Sequence, residues 1–222
     1  MVELLEHDLH AARTGAAEAE PASPKRSAIV QAATRLFLEA GYGAVSMNAI
    51  AAAAGVSKRT VYSHFAGKDA LFGAVMANVC AGVIGTRAPA SLIEGPPRRV
   101  LSEYGRTFLT LIVSRRALAI FRIATYESGR FPELGEVFYR VGPQRWTGVL
   151  AAYLREQDRT GALRVPDPEA AAAQFLAMVK GPVHMRLTLG VGPRPGAGEI
   201  EAMVEAAVSA FLRGYRTGAA PH

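Results

Sequence analysis

The stretch that most constrains this 222-residue chain runs Ser46-Met47-Asn48-Ala49-Ile50-Ala51-Ala52-Ala53-Ala54-Gly55-Val56-Ser57-Lys58-Arg59-Thr60-Val61-Tyr62-Ser63-His64-Phe65. Ser46 is placed to cap a short helix that ends at Gly55, and Ser57 to cap a second one reaching about Phe65. Two such helices joined by so tight a turn must pack closely. Five alanines in the first helix allow that approach, and Gly55 supplies the positive φ that the turn needs. Ile50, Val56, Val61 and Phe65 fall on the side that packs inward. Lys58, Arg59, Thr60, Tyr62 and His64 fall off it. A short helix presenting Lys, Arg and Thr suits a major groove, because basic side chains reach guanine edges and phosphates while Thr offers a hydroxyl and a methyl. A helical hairpin in an ordinary bundle can use the same turn, so the polar face carries the nucleic-acid reading.

The charge around this hairpin agrees with that reading. Residues 24–80 hold six basic side chains (Lys25, Arg26, Arg35, Lys58, Arg59, Lys68) against Glu39 and Asp69, whereas residues 1–23 hold five acids and one arginine. A basic segment next to a reading helix attracts phosphates.

The rest of the chain predicts an all-α fold. Ile29, Ala33, Leu36, Phe37 and Ala40 recur at helical spacing before Gly41. A longer helix beyond Gly67 carries Leu71, Phe72, Val75, Met76 and Val79. Glu94-Gly95-Pro96-Pro97 marks a break. Ser114 opens a helix that stops by Gly129, Pro132 starts a short one, and Gly142-Pro143 resets the chain. Asp167-Pro168-Glu169 combines a side-chain cap, a first-turn proline and an acid at the positive helix end. Pro182, beside Gly181, should break the helix begun at Pro168 near Lys180. Ile200, Met203, Val204, Ala207, Val208, Phe211 and Leu212 form one stripe on the last helix. The expected organisation is a mobile arm over 1–23, a helix-turn-helix domain over 24–80, and a larger helical bundle over 81–222.

Other function classes find little support. The longest apolar runs fall well short of the roughly 18 residues that a membrane span needs. No basic and then apolar leader is visible, and Cys80 is a lone thiol, so a reducing, cytoplasmic setting is expected. The histidines at 7, 10, 64, 184 and 222 have no metal-ligand spacing. There is no phosphate loop or nucleophile elbow, and no acid pair in a recognisable cleft. No catalytic residue, metal or cofactor is therefore expected.

From Ile29 to Phe72 the chain resembles the N-terminal domain of the TetR family. The resemblance rests on Phe37, Gly41-Tyr42, Ser46, Ile50-Ala51, Ala54-Gly55-Val56-Ser57, Thr60-Val61-Tyr62, His64-Phe65, Lys68 and Leu71. It implies that the second short helix enters the major groove. Lys58, Arg59 and Thr60 would then approach bases, and Ser46, Tyr62, His64 and Lys68 would hold phosphates. Met47 and Ser57 complete the expected contact set. Arg59 stands where the family often has Gly or Ala, which leaves open whether it reads a guanine or adds a phosphate contact.

Further on, Arg130-Phe131-Pro132-Glu133-Leu134, Phe138-Tyr139, Gly142-Pro143, Leu163-Arg164-Val165 and Asp167-Pro168-Glu169 resemble the C-terminal domain of AefR-like members. That likeness implies a homodimer formed through the last two helices and a pocket for a small-molecule effector. The Ile200–Leu212 stripe suits such an interface, unless it packs within its own subunit. Aromatic and polar residues suited to a pocket are Phe108, Phe121, Arg122, Tyr126, Phe138, Trp146, Phe175, Met178 and His184, although core packing accounts for such residues as well. The implied function is a repressor on a palindromic operator, released by its effector. The alternatives are an effector-independent DNA-binding protein and an all-α enzyme.

Overall fold

The computed structural model describes residues 23–84 and 95–216, with side-chain environments described through Val79 and again from Gly95. The arm expected over the first residues, Cys80's surroundings, and His7, His10 and His222 lie outside that description.

Eleven α-helices and no strands make up the described residues. They are α1 (Pro24–Ala44), α2 (Met47–Ala53), α3 (Lys58–His64), α4 (Lys68–Ile84), α5 (Pro97–Ile112), α6 (Arg115–Glu127), α7 (Pro132–Tyr139), α8 (Arg145–Arg159), α9 (Pro168–Lys180), α10 (Val183–Thr188) and α11 (Ala197–Gly214). Local chemistry starts several of them. The hydroxyls of Ser23, Ser46, Ser57 and Ser114 and the Asp167 carboxylate each accept a bond from the backbone N–H three residues on. Each satisfies a donor that the first helical turn leaves free.

Two apolar cores result. The first joins α1–α4 around Phe37, Tyr42 and Phe72, whose rings meet pairwise at 5.4–5.8 Å, each pair adding about 1 kcal/mol beyond its buried area. Ile120 and Ala124 of α6 and Leu134 and Val137 of α7 belong to this same core. The N-terminal domain is thus not closed on itself; its floor is made by α6 and α7. The second core joins α5, α8, α9 and α11 around Tyr104, Leu150, Phe175, Val204 and Phe211.

Two features differ from the sequence expectation, and the break at Pro182 agrees with it. Gly142-Pro143 does not reset the chain. Residues 140–144 form a π-helical turn that joins α7 to α8. A wider turn tolerates the proline's missing N–H, and such turns recur at functional sites. Pro182 does end a helix: α9 stops at Lys180, Gly181 takes φ +47°, and α10 starts at Val183. The Ile200–Leu212 stripe points into its own subunit. Ile200, Val204, Ala207, Val208 and Phe211 are all buried, and Met203 and Leu212 pack against the same core. Any partner must therefore use another face of α11.

Candidate nucleic-acid interface and bundle cavity

The turn between α2 and α3 forms as the sequence predicts. Gly55 has φ +66°, and a Cβ there would meet nothing within 4 Å, so backbone conformation and not space selects glycine. Val61 is fully buried and Phe65 nearly so, which anchors α3 by its inner face. Ser57, Lys58, Arg59, Tyr62 and Ser63 remain exposed. The Lys58 ammonium sits 5.8 Å from the Tyr62 ring centroid, a loose contact that leaves both side chains free to turn outward. Thr60 is half-buried, and its hydroxyl pairs with that of Ser57 at 2.9 Å. Ser46 is exposed at the start of α2 while its hydroxyl caps Ala49. His64 is half-buried at the end of α3.

Two residues of the expected set lie elsewhere. Met47 is buried in the N-terminal core. Lys68 turns inward, donating to the carbonyls of Tyr42 and Val45 at 2.8 and 2.9 Å and lying 4.3 Å from the Tyr42 ring centroid. Its ammonium thus caps the end of α1, and partial burial holds its pKa below the ordinary lysine range despite Glu127 and Glu133 nearby. Two of its three donors are committed. Sequence spacing cannot show this, because the carbonyls lie 23 and 26 residues away. Arg26, outside the expected set, places its guanidinium 5.1 Å from the Phe65 ring centroid, which puts a cation beside the end of α3. Its place in the basic run of residues 24–80 was the only signal.

A second feature sits in the bundle. A cavity of about 290 Å³ opens between α4, α5, α6, α7, the π turn, α8, α9 and α10. Phe108, Phe121, Phe138, Trp146 and His184, all expected from the sequence, line it. The other four expected residues do not. Tyr126 is 87% exposed and Met178 is 41% exposed. Phe175 is fully buried, edge-on to Phe211 at 5.3 Å. Arg122 spends its guanidinium on the carbonyls of Leu187 and Thr188, at 2.7 and 2.8 Å, and so caps α10. Leu176, Ala177 and Lys180, which were missed, line the cavity from one face of α9. Their spacing with Ala173 is i, i+3, i+4 and i+7, a pattern that could have found them.

Geometry thus defines a class: a helix-turn-helix DNA-binding domain seated on a helical bundle that holds an apolar cavity. Residues 29–75 match the profile described as bacterial regulatory proteins, tetR family. Residues 99–217 match that of the AefR-like transcriptional repressor, C-terminal domain. The chain belongs to the TetR family of transcriptional regulators. Among solved structures, the flavonoid-responsive regulator FrrA is 36% identical, with a TM-score of 0.74 over 89% of this chain and 100% of that one. A TetR-family regulator from Mesorhizobium loti is 28% identical, also at a TM-score of 0.74, over 89% of this chain and 99% of its own. The HTH-type transcriptional repressor Rv3405c of Mycobacterium tuberculosis is 35% identical over 121 residues, which span 53% of this chain and 59% of that protein. Among the described residues, no helix is long and apolar enough to cross a membrane.

Proposed function

We propose that the chain is a dimeric repressor that reads a palindromic operator with α3 and lets go of it when a small molecule enters the bundle cavity. The observation that carries the DNA half is the two-sidedness of α3. Its inner face is fixed by Val61, and its outer face offers Lys58, Arg59 and Tyr62 to a groove. Ser46, Ser57, Thr60 and His64 border that face and extend the contact set to the phosphates on either side. Lys68 contributes by holding the α1–α2 turn, with at most one donor left for a phosphate.

Dimerisation through α9–α11 is supported by apolar side chains left in solvent. Met178, Met185, Leu189 and Val191 are 41–72% exposed, and Ala202 and Ala206 are exposed on α11. Large apolar side chains exposed on these elements suit an interaction surface. Symmetric pairing there places two reading helices on one face of a duplex, with half-sites about one turn or a multiple apart. Release requires an effector that favours one spacing of those helices over the other. The cavity meets that need because α6, which lines it through Ala117 and Phe121, also forms the floor of the DNA-binding core. FrrA's description as flavonoid-responsive lends weight to an aromatic effector. The cavity also favours this reading over an effector-independent binder.

The test is duplex binding followed by fluorescence anisotropy. The triple variant Lys58→Ala/Arg59→Ala/Tyr62→Ala should lose at least about a hundredfold in affinity while keeping its helical circular dichroism, since each lost base or phosphate contact costs roughly 1 kcal/mol or more. Full retention of affinity would remove α3 from the interface.

A further inference from the structure

The wall of the bundle cavity is apolar except at a few points, and those points define what it accepts. His184 is 7% exposed and lines the cavity, held edge-on to Phe121 at 4.6 Å between ring centroids. No described residue hydrogen-bonds to its imidazole. Its backbone is fixed instead: Thr188 donates to its carbonyl at 2.8 Å, and Arg122 pins the far end of the same short helix. No buried side-chain nitrogen or oxygen among the described residues lacks a partner, so the imidazole nitrogens keep accessible surface, where water or a ligand can bond to them. Thr147 is half-buried in the wall, and Lys180 is exposed on the surface at the mouth.

We infer that the cavity binds an uncharged, flat aromatic molecule of about two rings, whose hydroxyl hydrogen-bonds to His184. This rests on the cavity being the effector site proposed above. Size sets the ring count. An apolar cavity of about 150 Å³ accommodates benzene, and this one is about twice as large. Phe108, Phe121, Phe138 and Trp146 supply ring faces and edges for it. Charge sets the functional group. Burial, and after it the Lys180 ammonium, hold the His184 pKa below the ordinary histidine range. A neutral imidazole has one donor and one acceptor, which suits a hydroxyl that can serve either way. A carboxylate carried to that depth would meet no buried cation, and the exposed Lys180 at the rim gives little in return for its desolvation.

Calorimetry on the DNA-free protein tests this with three probes of one shape: 2-naphthol, naphthalene (by competition) and 2-naphthoate. The expected order is 2-naphthol tightest, naphthalene about three- to tenfold weaker for want of one hydrogen bond, and 2-naphthoate weaker by at least about a hundredfold. Trp146 is the only tryptophan in the chain and lines the cavity, so a change in its emission on naphthalene binding locates the site. His184→Phe should abolish the preference for naphthol over naphthalene, and His184→Gln should restore part of it. Tighter binding of 2-naphthoate, no binding of any probe, or an unchanged preference in a folded His184→Phe would overturn the inference. The wild-type probe order stands as a test even if the variant fails to fold. A protein that binds the probes in the expected order but selects no DNA keeps this inference and loses the repressor reading. One that selects an operator but binds no probe does the reverse.

Discussion

The Glu127 carboxylate, at the end of α6, accepts a hydrogen bond from the Gly43 backbone N–H at 3.0 Å, joining residues 84 apart in sequence. A Cβ on Gly43 would sit 3.0 Å from the other Glu127 oxygen and 3.2 Å from the Phe131 ring, so the approach depends on glycine. Phe131 in turn meets Tyr42 edge-on at 5.3 Å. The corner between α6 and α7 is thereby latched onto the end of α1. Phe121, in the cavity wall, lies six residues earlier on α6, about 9 Å along the axis. On the proposed mechanism, movement of α6 around a ligand would reach the DNA-binding domain through this latch.

Glu127→Ala should destabilise the protein by about 2 kcal/mol, the usual scale for a hydrogen bond to a charged group, which is roughly 4–8 °C in melting temperature for a chain of this size. Gly43→Ala should cost a similar amount. Because both changes break one contact, the double variant should lose clearly less than the sum. Thermal unfolding of the four proteins measures the coupling, and strict additivity would mean that the latch carries no energy. Glu127→Ala should also blunt release of DNA by a cavity ligand, as read by anisotropy.

Lys68 separates two roles that an alignment of motifs merges. If it caps α1, Lys68→Met lowers the melting temperature while the slope of log affinity against log salt stays unchanged. If its remaining donor holds a phosphate, that slope becomes shallower by about one. Its two bonds to backbone carbonyls predict the first outcome.

Arg59 is exposed at the start of α3 with its side chain free to reach a base. Arg59→Ala should relax preference at one operator position, at a cost of about 1–3 kcal/mol. An equal loss across all operator variants would assign Arg59 to phosphate instead.

Met185 is 69% exposed, so Met185→Asp should leave the fold of the subunit intact. Placed in a dimer interface, the new charge should shift sedimentation toward monomer and weaken operator binding at fixed protein concentration. An unchanged dimer would move the interface away from α10.

What could be read from sequence follows from how local each signal is. The caps at Ser46, Ser57, Ser114 and Asp167 formed as expected because a cap is settled within four residues. Gly55 was legible for the same reason. Lys68 was not, since nothing near it in sequence shows that the carbonyls of Tyr42 and Val45 point its way. The stripe on α11 was read correctly as apolar, but whether it met a partner or its own subunit stayed open, because periodicity shows that a face is buried and not what buries it. Arg122 and Phe175 share composition with pocket residues, yet one caps α10 and the other fills the core. Only packing distinguishes them from His184.

On the proposed function, α3 reads DNA as one of a symmetric pair. Selection of bound sequences from random duplexes by the folded protein tests it most directly. A symmetric pair of reading helices should enrich an inverted repeat whose half-sites are centred about one helical turn, or a multiple, apart, with the enrichment lost in Lys58→Ala/Arg59→Ala/Tyr62→Ala. Recovery of no inverted repeat from a protein shown to be folded and dimeric would contradict it.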